Sequence, residues 1–268
     1  MAWKGIVGKS FTPDEFEKYV RSLKFGLWRP RFVVVHNTSV PDTKTWKQWQ
    51  TRKPPVTDEK WARNLEAYYK NLGWSGCPHV FVTPGSILAM NPLTTFGTHS
   101  PAWNSISWGV ETVGEFERDS FSGPIKDHLV AALATLHAAA GLQLSSYARG
   151  VRGLHLHKED PLTTHTSCPG KKMVKADLIA AVQAEIERRH AGEHPADEGG
   201  NFGIVNTAPD DPLNLRATPS TKAAILMTLK RGAKVIVLGG TDVGTTRWLN
   251  VSRAGTSGWV AARYIDIV

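Results

Sequence analysis

Only two cysteines, Cys77 and Cys168, occur among 268 residues, too few for a disulfide-stapled scaffold. Each thiol is therefore free to be a core residue or a ligand. Long apolar runs are also missing: those at 32–35 and 129–136 fall far short of the roughly 20 residues that cross a bilayer. No spanning helix is expected. The opening MAWKGIVGKSFTPDEFEKY lacks the apolar core and small-residue cleavage site of a secretory signal. A protein made in the cytoplasm with this start and acting outside it is expected to leave by release or non-standard export. No nucleic-acid motif accompanies the formal charge of +8. That charge alone predicts only attraction to polyanions, such as anionic wall polymers or an outer-membrane surface.

What is present is a globular composition, 41% hydrophobic and 21% charged, in a chain longer than a typical single domain. Two folded units are the expectation. The stretch Thr12-Pro13-Asp14-Glu15 opens a helix with cap, first-turn proline and acidic residues, and Phe16, Tyr19, Val20 and Leu23 share one face. Phe32–Val35 is a β-branched run of the kind buried on both faces of a sheet, and His36 stands at its end. Trp61, Leu65, Tyr68, Tyr69 and Leu72 repeat at helical spacing before Gly73. Strands are predicted at 79–82, 87–90 and 107–113, and helices at 125–141 and 171–189. Alternating helices and strands indicate an α/β domain, a mixed central sheet flanked by helices, over residues 1–190. Residues 191–202 lack apolar periodicity and read as a linker. From 203 to 268 short strands separated by turns predict a small all-β barrel.

A catalytic metal site needs three protein donors and an open position. His36 ends a buried strand. Cys168 lies in a Ser-Cys-Pro-Gly turn that is expected to open a helix, where the positive helix terminus favours a thiolate. His155 and His157 alternate along a strand, so only one of them points into any given pocket.

The segments VVVHNT, GTHSPAWN, WGVETVG and HKEDPLTTHTSCPG together resemble, in order and spacing from Phe32 to about Leu178, the zinc-dependent N-acetylmuramoyl-L-alanine amidases related to peptidoglycan recognition proteins. The resemblance implies a Zn2+ site made by His36, His157 and Cys168, with His157 preferred over His155 because it begins the His-Lys-Glu-Asp stretch. It also implies a general base. The tyrosine used by some relatives is replaced by Pro78, before His79, whereas Gly109-Val110-Glu111 matches the family's alternative and points to Glu111. Thr166, two residues before the cysteine, takes the place of the Lys or Thr that helps hold the oxyanion. His79, His99 and Asn104 match substrate-groove positions, with His165 and Trp103 as further candidates.

The stretches LNLRATPS, LKRGAKV and GWVAARY resemble a bacterial SH3-type domain, which implies binding to cell-wall peptide. Peptidoglycan, glycan and stem peptide together, is thus the expected partner and its amide the expected bond, in the setting of an endolysin, a self-remodelling wall enzyme or a toxin. Two alternatives stay open: a non-catalytic peptidoglycan-binding protein of the same fold, and a Cys/His cell-wall peptidase with Cys168 as nucleophile.

Overall fold

The computed structural model describes residues 5–142, 144, 153–193, 202–253 and 256–268, residues 190–193 by backbone alone. The expected linker lies largely outside them. The chain divides into two compact units, Met1–Arg188 and Arg189–Val268. No helix among the described residues is long and apolar enough to cross a membrane.

In the first unit the order is β1 (Lys9–Phe11), α1 (Pro13–Ser22), β2 (Phe32–Asn37), α2 (Thr43–Thr51), α3 (Asp58–Asn71), β3 (Val80–Val82), β4 (Ile87–Ala89), β5 (Ser107–Thr112), α4 (Pro124–Ala140), β6 (Gly153–Leu156) and α5 (Lys175–Glu193). The six strands lie in the order β1-β4-β3-β5-β2-β6. β3, β5, β2 and β6 run parallel, while β4 and β1 add antiparallel strands at one side. This is the mixed sheet flanked by helices that the sequence predicts.

The helix boundaries follow from local chemistry. Thr12 accepts the Glu15 N–H and Glu15 accepts the Thr12 N–H, a reciprocal cap, and Phe16 and Val20 bury the inner face of α1. Thr57 caps α3, whose buried face carries Trp61, Ala62 and Tyr69. Gly141 takes the left-handed conformation that ends α4. The β2 strand is buried on both faces: Val33 and Val35 join the main core, where α4 contacts β2 and β3 and α1 contacts α4, while Phe32 and Val34 pack against Trp103, Ala102 and Ile106.

Two short elements go beyond the sequence reading, β1 and α2. α2 presents only Trp46 and Trp49 as an apolar face and depends on the Asp42 cap. A third difference is a correction: the last helix begins at Lys175, not Lys171. The Lys171 and Lys172 N–H groups instead donate to the Glu117 carboxylate and the Phe116 carbonyl, so the chain after Gly170 is tied to a neighbouring loop rather than coiled.

The second unit is all antiparallel: β7 (Phe202–Val205), β8 (Leu213–Arg216), β9 (Ile225–Leu229), β10 (Lys234–Val243), β11 (Thr246–Arg253), β12 (Thr256–Ala261) and β13 (Ile265–Ile267), in the order β13-β7-β10-β11-β12-β8-β9. Its core is made by alternate residues, among them Val205, Leu215, Val235, Val251 and Val260. β7 starts at Phe202, the last residue of the expected linker.

Candidate active site

Three adjacent parallel strands deliver the site to one sheet edge, the carboxyl ends where open α/β sheets bind their ligands. His36 and Glu111 are register partners on β2 and β5, and so stand side by side on one face. The Val35–Leu156 pairing brings the end of β6 alongside β2, so that His157, in a 3₁₀ turn just past β6, meets His36 with ring centroids 4.2 Å apart. The Cys168 carbonyl accepts the Lys158 N–H at 2.9 Å, which draws the Ser-Cys-Pro-Gly turn over the same edge. As a result one ligand atom each from His36, His157 and Cys168 lies within 4.8 Å of the others.

Glu159 holds the 3₁₀ turn in place. Its carboxylate accepts the Leu156 N–H and bonds to His155 and to Lys175. Burial acts to raise the Glu159 carboxyl, but those hydrogen bonds outweigh it and hold the group at about 2. His155 is thereby turned away from the cleft, against Phe32, Trp103 and Glu159, while His157 faces it. The two histidines do not simply alternate on one strand: the chain leaves the strand between them.

His36 is buried, and burial, followed by the nearby His99 and His157, holds it neutral, well below the ordinary imidazole range. Burial lowers His157 to about 4. A neutral imidazole is the form that ligates a metal. Cys168 requires a correction. It lies seven residues before α5, so no helix terminus favours its thiolate, and burial together with Glu111 pushes its thiol up to about 12. A bound cation is what ionises a thiol in such surroundings, so the His/His/thiol donor set fits zinc.

These groups line a cleft of about 890 Å³ with Glu111 among its walls. Glu111 Oε2 is sealed from solvent and has no hydrogen-bond partner among the described residues, and burial raises its carboxyl to about 8. An orphaned buried carboxylate oxygen is costly. Glu111 lines the same cleft as the three metal-type donors.

The other expected site residues divide. His99 lines the cleft, with Nδ1 3.2 Å from His36 Nε2. Gly109 makes room for it, since a Cβ there would come within 2.4 Å of the His99 ring. Asn104 does not line the cleft. Its Oδ1 accepts the His99 and Ser100 N–H groups and so braces the loop that carries His99. Asp160 braces it from the other side through the Ser100 hydroxyl and the Ala102 N–H. His79 is also outside the cleft lining. Its Nδ1 accepts the Gly109 N–H, Nε2 bonds to the Thr95 carbonyl, and Trp28 stacks on the ring. Thr166 is exposed and absent from the lining, where His165 and Ser167 appear instead, and the His165 ring stacks on His157 at 5.3 Å. Trp103 is packing against Phe32.

Helix α3 contributes a wall that sequence reasoning assigned no role. Trp61 packs edge-on against Phe81, the β3 register partner of Glu111, so α3 covers the same face as the site. Tyr68, Tyr69 and Leu72 then line the cleft with Trp74. Periodicity places these residues on a helix but does not say which sheet face the helix covers. The one available signal is the proline at 78, where some relatives have a tyrosine.

Residues 27–171, more than half of the chain, match the family model described as N-acetylmuramoyl-L-alanine amidase, and residues 211–266 match that of the bacterial SH3 domain. No curated protein sequence matches. Among solved structures, the chain is similar to the endolysin N-acetylmuramoyl-L-alanine amidase LysCS of Clostridium intestinale, at 21% identity over 57% of this chain and 83% of that one with a TM-score of 0.43. It is likewise similar to wild-type Drosophila PGRP-LB, at 20% identity over 59% and 84% with a TM-score of 0.41.

Proposed function

This chain belongs to the N-acetylmuramoyl-L-alanine amidase family and is a peptidoglycan amidase, acting on the bond between N-acetylmuramic acid and the L-alanine of a stem peptide; from that premise we propose that its chemistry depends on zinc held by His36, His157 and Cys168. The observation that carries this reading is the convergence of two neutral imidazoles and a thiol within 4.8 Å beside an unpartnered carboxylate. Bound there, zinc would lower the pKa of a water toward about 7 and polarise the scissile carbonyl.

The chain's own residues supply the rest. Glu111, with one oxygen free of any partner among the described residues, would be ionised once a cation beside it offsets the burial that raises its carboxyl; it then takes a proton from the attacking water and returns it to the amide nitrogen as the C–N bond breaks. His99 backs His36 through the contact between their ring nitrogens, a second-layer support of the kind that fixes ligand orientation. The barrel anchors the enzyme to the insoluble wall, raising the effective concentration of a cleft that binds single stem peptides weakly.

Chelation tests the metal directly. Removing divalent metal should abolish release of stem peptides, and zinc should restore it. Activity that survives in metal-free protein and is lost on thiol alkylation would instead identify Cys168 as a nucleophile.

A further inference from the structure

Tyr69 sits in the last turn of α3, nine-tenths buried, and lines the cleft that holds Glu111 and the ligand trio. Among the described residues its hydroxyl has no hydrogen-bond partner. That hydroxyl is not sealed, so it stands open to the water of the cleft, while the ring itself is held in place. Gly73 adopts φ +73°, which turns the chain back so that the Trp74 N–H donates to the Tyr69 carbonyl at 3.0 Å. The Trp74 indole then stacks on the Tyr69 ring, with centroids 4.9 Å apart and planes 10° from parallel. The Glu111 carboxylate is close enough to act electrostatically on the phenol, and burial, aided by that charge, keeps the phenol protonated. The cleft therefore holds, on a ring fixed by the Trp74 stack, an O–H donor in the same lining as Glu111, whereas Thr166, the hydroxyl expected from sequence to serve the oxyanion, is exposed outside that lining.

We propose that Tyr69 is a catalytic residue whose hydroxyl donates a hydrogen bond to the scissile carbonyl oxygen as negative charge develops on it. This rests on the amidase reading above. In the step concerned, water loses a proton to Glu111 and its oxygen bonds to the carbonyl carbon, and the C=O π pair moves onto the carbonyl oxygen. The Tyr69 O–H donates to that oxygen without giving up its proton. On collapse the pair returns, the C–N bond breaks, and the nitrogen takes the proton from Glu111.

The test is Tyr69→Phe in the full-length, zinc-loaded protein, since phenylalanine preserves the ring, its burial and its stack on Trp74. Zinc content and KM for a soluble muramyl peptide should match wild type, with kcat lower by about 10² to 10³, the usual effect of losing one such donor. A muramyl-peptide phosphonamidate, with tetrahedral phosphorus in place of the scissile carbon, should bind the variant more weakly by a similar factor, because only an interaction made in the transition state lowers both. An unchanged kcat with a raised KM would reduce Tyr69 to a cleft wall and overturn the proposal. A lower kcat with undiminished phosphonamidate binding would overturn it too, assigning Tyr69 to the support of Glu111. Wild type is assayed alongside. If it releases no stem peptide, the amidase reading itself fails, whereas an active wild type with a near-normal variant removes only the role of Tyr69.

Discussion

The two units bury very different things. The barrel core is a set of aliphatic residues from alternating strand positions, with Thr207 its one buried polar side chain among the described residues. The first unit buries His36, His79, His99, His137, His155 and His157, along with Asp160 and several hydroxyls, in and around an otherwise apolar core. Burying polar groups is destabilising unless they are paired or used. His79 is satisfied at both ring nitrogens, whereas Glu111 Oε2 has no partner among the described residues. The contrast teaches where polar groups are placed: the first unit gathers buried imidazoles and a carboxylate at one sheet edge, and the second encloses an almost wholly aliphatic core.

The strongest way to break that contrast is to remove a ligand. Cys168→Ala should lose both zinc, by elemental analysis, and all measurable amidase activity, while wall binding by the barrel persists. Full zinc occupancy in that variant would refute the ligand set, and the same outcome for His157→Ala would promote His155. Next in size is Glu111→Gln, for which turnover should drop by about 10² to 10⁴ with zinc content and substrate binding unchanged. Near-normal turnover there would move the proton-transfer role to another group lining the cleft, His99 first.

Acid separates the units without mutation. Burial holds His79 and His137 at about 4 in the folded state, below the ordinary 6.5. A depressed folded pKa means the unfolded chain binds more protons between those values, so stability present above pH 6.5 is lost as pH falls toward 4. At about 1.4 kcal/mol per unit, each such histidine contributes up to a few kcal/mol of loss. Residues 202–268 contain no histidine. Peptide-resolved hydrogen exchange on the full chain, from pH 7 to 4 and corrected for intrinsic rates, should show protection falling in the sheet around β2 and β5 but not, through histidine, in β10 and β11. Equal loss in both units would contradict this. The smallest effect on chemistry is expected from removing the barrel. A fragment ending near His190 should cleave soluble muramyl peptides at the full-length rate yet sediment poorly with intact walls, and equal sedimentation would show that the barrel is not the anchor.

Much of this arrangement is legible in the sequence because apolar periodicity is a strong signal. Phe32–Val35 reads as a doubly buried strand, which alone puts His36 at a sheet edge, and the short strands that the sequence indicates after residue 203 are present. What is not legible depends on contacts between distant segments. His155 and His157 differ by two positions, and only the Glu159 hydrogen bonds show that the strand ends between them. Cys168 looks like a helix N-terminus until Glu117 and Phe116 claim the next backbone donors. Tyr69 reads as one more apolar-face residue because nothing local says which sheet face α3 covers.

The most direct test of the central claim is mass spectrometry of the products released from purified peptidoglycan by the full-length protein, with and without chelator. The expected result is intact stem peptides carrying a free L-alanine amino terminus, released only when zinc is present. Fragments cut within the stem peptide, or release that is indifferent to chelation, would contradict a zinc amidase built on His36, His157 and Cys168.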